Sequence, residues 1–480
     1  MPVPARAGTL AAVDLGATSG RVILGRFGGR EGLRLHHVAR VPNDPVRTPD
    51  GLHWNLLELY RQVLAGLAAA ERDAPGEIEG VGIDSWAVDY GLLAGGRLLG
   101  VPYHYRDERR AAGVERVHAR VDAVALYQRN GLQHLPFNTL FQLATEGPLL
   151  GLADRMLLVP DLLAHWLTGA EVAERTNAST TGLLDARTGE WDVELAGLLG
   201  LPAGILPGLV DPGTTLGPLT GDAAALVGRP LEVGAVGSHD TASAVVAVPA
   251  TDRDVAYVSC GTWGLVGLEL DAPVLADEAR RAGFTNEGGV DGRTRFLHNV
   301  MGLWLLSESI RTWERDATAA QRSSTLAQLL AEAAHVTTPV AVFDVDDPRF
   351  LAPGDMPARI AAWCAEHDQP VPATRGELVR SIVESLAQAF ADAVATAAGL
   401  AGRRVSTIHV VGGGAQNTLL CQATADRSGL PVVAGPVEAT AIGNLLVQAR
   451  ARGLVDGGLE DLRGIVAAAF TPVRYEPRHG

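Results

Sequence analysis

The stretch LAAVDLGATSGRVILGRF, residues 10–27, decides the fold. Its apolar arms, residues 10–14 and 21–27, predict a strand hairpin, and the small residues between them predict a tight turn. Such residues let main-chain N–H groups converge on one concave space, and that nest binds anions. Asp14 stands at the end of the first arm, where a carboxylate can orient a metal ion. A second stretch of the same form, VAYVSCGTWGLVGLEL, occupies residues 255–270. Two such turns predict a phosphate chain gripped twice, although a plain hairpin turn uses the same residues.

Working outward, LRLHHVARV (33–41) predicts a third antiparallel strand, WNLLELYRQVLAGLAAAERD (54–73) a helix, and EGVGIDS (79–85) a buried strand. A hinge is expected at VPATDRDV (248–255), after which the pattern restarts. Helices are predicted over 299–316, 375–399, 416–429 and 438–453, with a strand over 406–414 that runs into three glycines. The fold class is therefore α/β, in two domains, 1–247 and 248–480, related as a distant duplication of one unit.

Composition narrows the function. The 480 residues are 47% hydrophobic with a net charge of −15 and no basic cluster, which argues against a nucleic-acid partner. No apolar run reaches membrane-spanning length, and the first residues lack the apolar core of a leader. The cysteines, Cys260, Cys364 and Cys421, are far apart and without zinc spacing, as expected of a cytoplasmic protein. There is no lysine at all. Every mechanism that needs one is excluded: the lysine-bearing phosphate loop, the protein-kinase strand lysine, and Schiff-base chemistry. A nucleotide must be held by backbone turns, arginine and metal.

Five clusters carry candidate chemistry. Ala17, Thr18, Ser19, Gly20 and Arg21 form the first phosphate turn, with Asp14 orienting Mg²⁺ through water. Gly261, Thr262, Trp263 and Gly264 form the second turn. Gly412, Gly413 and Gly414 end a strand before a helix, where bare backbone can meet an adenosine or simply pack. Ser238, His239, Asp240 and Thr241 sit where a strand gives way to a helix. Asp240 is there either a helix cap or a general base, with His239 donating to substrate. Asp84, Trp86 and Asp89 offer carboxylates and an indole face to a polyol, or a half-buried strand end. The charged stretch 108–120 reads as a solvated helix face.

Together VDLGATSGRV, GIDSWAVDYGLL, NGLQHLPFNTLFQL, TNASTT, SHDTASAV, SCGTWGLVG, NVMGLWLL, VVGGGAQNTLL and AGPVEATAIGN resemble the FGGY family of carbohydrate kinases. The likeness runs in order from about Val13 to Asn444. It implies two actin-like (ribonuclease H-like) ATPase domains with a cleft between them, acting as a monomer or small homo-oligomer on ATP and a small sugar. Within the family the likeness is to members that phosphorylate the C1 hydroxyl of L-rhamnulose; L-fuculose or a xylulose is the alternative substrate. Rivals outside that activity are a filament-type or chaperone-like ATPase and a dinucleotide oxidoreductase. The resemblance assigns ATP contacts to Ala17–Arg21, Thr262, Ser307, Gly413 and Gly414. It assigns sugar contacts to Trp86, Ala87, His239, Asp240, Thr241 and Asn299, with Asp240 as proton acceptor. Two departures stand out: Ala87 replaces a common glycine, and Ser307 replaces a glutamine.

Overall fold

The computed structural model describes residues 6–28, 32–250, 252–314 and 318–478. The start of the chain read for a leader, Thr251 of the expected hinge and residues 315–316 of the expected helix end lie outside them. The chain forms two compact units. Unit 1 comprises Met1–Thr251, Glu269–Phe296 and Glu438–Thr471; unit 2 comprises Asp252–Leu268, Leu297–Val437 and Pro472–Gly480.

In unit 1 the hairpin is β1 (Gly8–Leu15) and β2 (Ser19–Phe27), followed by β3 (Leu33–Pro42), α1 (Leu56–Asp73) and β4 (Ile78–Ser85). Later come β5 (Thr215–Pro218), β6 (Glu232–Gly234) and the short helix α2 (Asp240–Val246). The sheet runs β5-β6-β4-β1-β2-β3. β1 is antiparallel to β2 and parallel to β4, a register that sets Asp14 opposite both Arg21 and Asp84. Every residue of β1 after Gly8 is buried, as expected of a central strand covered on both faces. α1 buries Leu56, Leu59, Val63, Leu64 and Leu67, the three-to-four spacing of one helical stripe. The helix Ala439–Ala451 closes this unit. Its Gly443 lies so close to the Ser243 carbonyl of α2 that no side chain fits between the two helices.

Unit 2 is built from β7 (Val255–Cys260), β8 (Trp263–Leu270), β9 (Thr294–Met301), α3 (Trp304–Trp313), α4 (Arg375–Ala401), β10 (Thr407–Val411), α5 (Thr418–Ser428), β11 (Val432–Ala434) and β12 (Val473–Tyr475), except that the last two residues of β8 and the first three of β9, Arg295 among them, belong to unit 1. Its strands follow the order β9-β8-β7-β10-β11-β12. The succession is that of unit 1: an antiparallel hairpin, two parallel neighbours, then an antiparallel edge. The expected duplication is therefore present in topology.

Three expectations need correction. The predicted helix over 299–316 begins only at Trp304, and Asn299 belongs to β9. The cause is Gly302: a Cβ there would stand 2.5 Å from the Trp263 carbonyl carbon and 2.7 Å from the Gly264 nitrogen, so the chain must press flat on the second turn before it can coil. The stretch 108–120 is not a uniformly solvated face. Arg109 leaves the solvent to pair with Glu146 at 3.0 Å, its guanidinium 3.7 Å from the Tyr103 ring centre. Asp240 is not the cap of α2, since His239 occupies the cap position and the Asp240 carboxylate bonds to the Thr241 hydroxyl at 3.1 Å.

Candidate active site

The first turn is tight because Gly16 N–H donates to the Ser19 carbonyl at 3.0 Å, while Asn43 donates to the Gly16 carbonyl at 2.9 Å. A Cβ on Gly20 would stand 2.8 Å from the Asp14 carbonyl oxygen, so a side chain there is forbidden. Thr18 and Ser19 are exposed at the tip. Below them lies a cluster of acids. Asp14 is buried, with Arg21 Nε 3.1 Å from its Oδ2 yet out of hydrogen-bond alignment, so that oxygen has no donor. Arg21 also donates to Glu438 at 2.6 Å. Asp84 is fully buried; Asn444 donates to its Oδ2 at 2.6 Å, and its Oδ1 has no donor.

These carboxylates hold protons tightly. Burial pushes Asp14 up to about 6, Arg21 opposes the shift, and Asp240 and Glu438 add to it. Asp84 is raised well above the ordinary range, first by burial and then by Asp14. Two buried carboxylates with an orphaned oxygen each suit a divalent cation. Among the described residues, however, no three His, Cys, Asp or Glu side chains form a metal cage. Mg²⁺, which keeps several waters and takes one or two carboxylates plus substrate phosphates, is an ion that these two carboxylates could hold.

Around Trp86 a different device operates. Trp86 and Trp54 lie with ring centres 3.9 Å apart and planes tilted by 30°, so one indole face is already covered. Both indole N–H groups donate to Asp89 Oδ2, at 3.1 Å from Trp86 and 2.5 Å from Trp54. Tyr105 N–H and Gln142 Nε2 also donate to the Asp89 carboxylate, at 3.2 and 2.9 Å. Burial nevertheless pushes Asp89 up to about 7, and these donors pull against the shift. Next to Ala87, Val88 adopts φ +67°, a left-handed conformation rare for a β-branched residue. Its carbonyl accepts from the Thr139 hydroxyl at 2.7 Å.

The loop before α2 is held by Glu174. This buried acid accepts from both the N–H and the hydroxyl of Ser238, at 2.9 and 2.8 Å, and from Thr176 and Asn177. His239 is buried and packs on the Glu287–Arg295 pair, while the Asp240 side chain keeps 30% of its surface open. Unit 1 thus brings together Asp14, Arg21, Asp84, Asp240 and Glu438 as one electrostatic group. Glu438, Asn444, Glu174, Glu287 and Arg295 are polar partners that the sequence reading did not single out. AGPVEATAIGN carried the first two, but a carboxylate on a closing helix looks like any helix-start acid.

In unit 2 the second turn is braced by the start of α3. Leu303 and Trp304 N–H donate to the carbonyls of Gly261 and Thr262 at 3.0 and 3.2 Å. Ser307 is exposed one turn along α3, and Asn299 is half-buried on β9. The three glycines differ from one another. Gly412 needs its positive φ of 81°, and Gly414 packs on Cys260, whose Cβ would lie 2.5 Å from an added methyl. Gly413 has open space. Cys260, Cys364 and Cys421 are free, buried thiols, and burial raises Cys421 to about 12 and Cys260 further. They are inert ballast for packing.

Comparison with known proteins adds a second line of support. The FGGY family of carbohydrate kinases matches with its N-terminal domain over residues 9–247 and its C-terminal domain over residues 256–452. A rhamnulokinase of Bacteroides thetaiotaomicron is 40% identical over 473 residues, 97% of this chain and 95% of that one. One from Pectobacterium carotovorum is 42% identical over 476 residues, 98% of this chain and 93% of that one. In structure, a xylulose kinase from Lactobacillus acidophilus superposes with a TM-score of 0.77 at 17% identity, covering 98% of this chain and 94% of that one. Plasmodium falciparum glycerol kinase with ADP gives 0.76 at 13% identity, covering 98% and 94%.

Proposed function

Because the chain belongs to the FGGY family of carbohydrate kinases, we propose that it transfers the γ-phosphoryl group of ATP to the C1 hydroxyl of L-rhamnulose, giving L-rhamnulose 1-phosphate. The substrate rests on full-length likeness to rhamnulokinases. The chemistry rests on one observation: the Asp240 carboxylate stands at the start of α2 without capping it, partly open to solvent and 3.5 Å from His239 Nε2.

In this reading Asp240 accepts the proton of the attacking hydroxyl. Phosphoryl transfer passes through a loose transition state in which that proton leaves late, so positioning dominates over basicity. Glu174 supplies the positioning by clamping Ser238, the residue before His239. Ala17 to Arg21 donate main-chain N–H, hydroxyl and guanidinium groups to phosphate oxygens, and Thr262, Ser307, Gly413 and Gly414 serve the nucleotide in unit 2. Mg²⁺, when bound through water to Asp14, supplies charge neutralisation at the β- and γ-phosphates. Trp86, with Ala87, Thr241 and Asn299, contacts the sugar. Among the described residues no helix is long and apolar enough to cross a membrane, in keeping with a cytoplasmic enzyme.

A sugar panel under saturating MgATP tests the substrate: kcat/KM is expected to be highest for L-rhamnulose, and preference for L-fuculose or a xylulose overturns it. Asp240→Asn tests the base, with a loss of at least about 10²-fold in kcat while ATP binding persists. A near-normal kcat removes Asp240 from that role.

A further inference from the structure

His239 is tied on its inner side to two buried charges. Arg295 has no exposed side-chain surface, and its Nη2 lies 3.0 Å from His239 Nδ1 in hydrogen-bond alignment. Glu287 Oε2 lies 3.3 Å from the same nitrogen and 3.1 Å from Arg295 Nη2, but makes no hydrogen bond. Arg295 Nε is occupied by the Gly288 carbonyl at 2.9 Å, which fixes the plane of the guanidinium. A guanidinium only donates, and a neutral imidazole has one donor and one acceptor nitrogen. A proton on Nδ1 would therefore point at an arginine N–H across 3.0 Å. Glu287 Oε2, an acceptor 3.3 Å from Nδ1, is out of hydrogen-bond alignment, so the aligned contact is satisfied when Nδ1 accepts from Arg295 and the proton sits on Nε2, the nitrogen 3.5 Å from Asp240 Oδ1.

We propose that Arg295, neutralised by Glu287, fixes His239 as the Nε2–H tautomer, so that the sugar site presents a donor beside the Asp240 acceptor. Arg295 and Glu287 are positioning residues and do not touch substrate. The consequence for recognition rests on the ketose-kinase reading above. A hydroxyl that gives its proton to Asp240 and a neighbouring carbonyl oxygen that can only accept are the complement of this donor–acceptor pair. Burial raises the Glu287 carboxyl, but the adjacent Arg295 guanidinium opposes that shift, and the carboxyl is held below its usual range. Glu287 therefore stays an anion and balances the arginine.

The test uses the full chain with ¹⁵N-labelled histidine. Long-range ¹⁵N–¹H correlation spectra, assigned by difference with His239→Gln, should show Nε2 protonated and Nδ1 bare without any sugar present. In Arg295→Met the proton should move to Nδ1, where Glu287 becomes its acceptor. The sugar KM should rise about tenfold or more, as for a lost hydrogen bond to a buried group, with the ATP KM unchanged within about twofold. Arg295→Lys, which restores a donor, should return the Nε2–H signature and most of the sugar KM; it decides the matter if Arg295→Met does not fold. A wild-type His239 protonated on Nδ1, or a tautomer indifferent to Arg295→Met and Arg295→Lys, overturns the inference even if L-rhamnulose is the substrate. A failure of the substrate reading appears separately, as no turnover of L-rhamnulose with the tautomer intact.

Discussion

Replacing Asp89 with asparagine isolates the cost of burying a carboxylate that has no cation. Asp89 is 1% exposed and is pushed from its ordinary 3.8 up to about 7. A raised carboxyl makes the folded state bind its proton more tightly than the unfolded state does. The stability it contributes is complete below about pH 4 and is lost as pH rises through about 7. Some three units at about 1.4 kcal/mol each set that loss near 4 kcal/mol. An asparagine oxygen can still accept from both indoles and from the Tyr105 N–H, so the indole pair should survive; its amide nitrogen then meets the Gln142 Nε2 donor, a cost that does not vary with pH, and no proton is linked to folding at that site. Urea unfolding followed by tryptophan fluorescence, with Trp54 and Trp86 as reporters, measures both proteins from pH 4 to pH 8. The wild type should lose stability relative to Asp89→Asn by up to about 4 kcal/mol across that span, with little further change above pH 7. Because the other buried acids are common to both proteins, the difference belongs to Asp89. A difference that is flat with pH, or that favours the wild type increasingly as pH rises, refutes the reasoning.

Two other expectations follow from the same geometry. With Asp14 titrating at about 6, kcat/KM at limiting Mg²⁺ should fall on the acid side through that pH, about tenfold by pH 5. Raising Mg²⁺ should push the limb to lower pH, because cation and proton compete for one carboxylate; a limb indifferent to Mg²⁺ removes Asp14 from the metal site. In unit 2, Gly414→Ala drives a methyl into Cys260 and should cost about 1–3 kcal/mol in thermal or denaturant unfolding. In a double-mutant cycle with Cys260→Gly, which removes the Cβ that the methyl strikes as well as the sulfur, Gly414→Ala should cost much less than it does beside Cys260, and simple additivity of the two substitutions contradicts a direct clash.

The hairpins, α1 and the long helix α4 were legible because their apolar spacing is a local signal, strengthened in α4 by a Thr374–Glu377 capping box. The two turns were legible because glycines stand where a Cβ would strike backbone, as at Gly20. Asn299 was misplaced because its neighbours carry helix spacing, while the constraint that holds it in β9 lies across the sheet, at Gly261 to Gly264. The acid cluster was half legible. Asp14, Asp84 and Asp240 each end or begin an element, but Glu438 joins them from a segment more than 400 residues away in sequence from Asp14. The Arg295–Glu287 pair left no mark, since a charged residue inside a strand pattern gives no hint of its partner.

Without lysine, the chain handles its buried acids in three ways, and the differences among them indicate where ligands belong. Asp89 is surrounded by neutral donors that occupy both its oxygens and offset part of the cost of burying it. Glu287 has Arg295 for itself, so that pair is electrically closed and its remaining effect is to orient His239. Asp14 is not closed. It shares Arg21 with Glu438, and its neighbour Asp84 has only the Asn444 amide. Both keep an oxygen without a donor, as Glu287 and Asp161 also do, but Asp14 and Asp84 stand opposite each other in the register of β1 and β4. A buried charge left in that state costs several kcal/mol unless a proton or a cation completes it. An acid cluster so under-neutralised would repel bare phosphates, yet it lies beside a turn whose exposed Thr18 and Ser19 suit them. A divalent cation removes both conflicts at once, which is why the nucleotide and the metal are expected to bind here together and not one after the other.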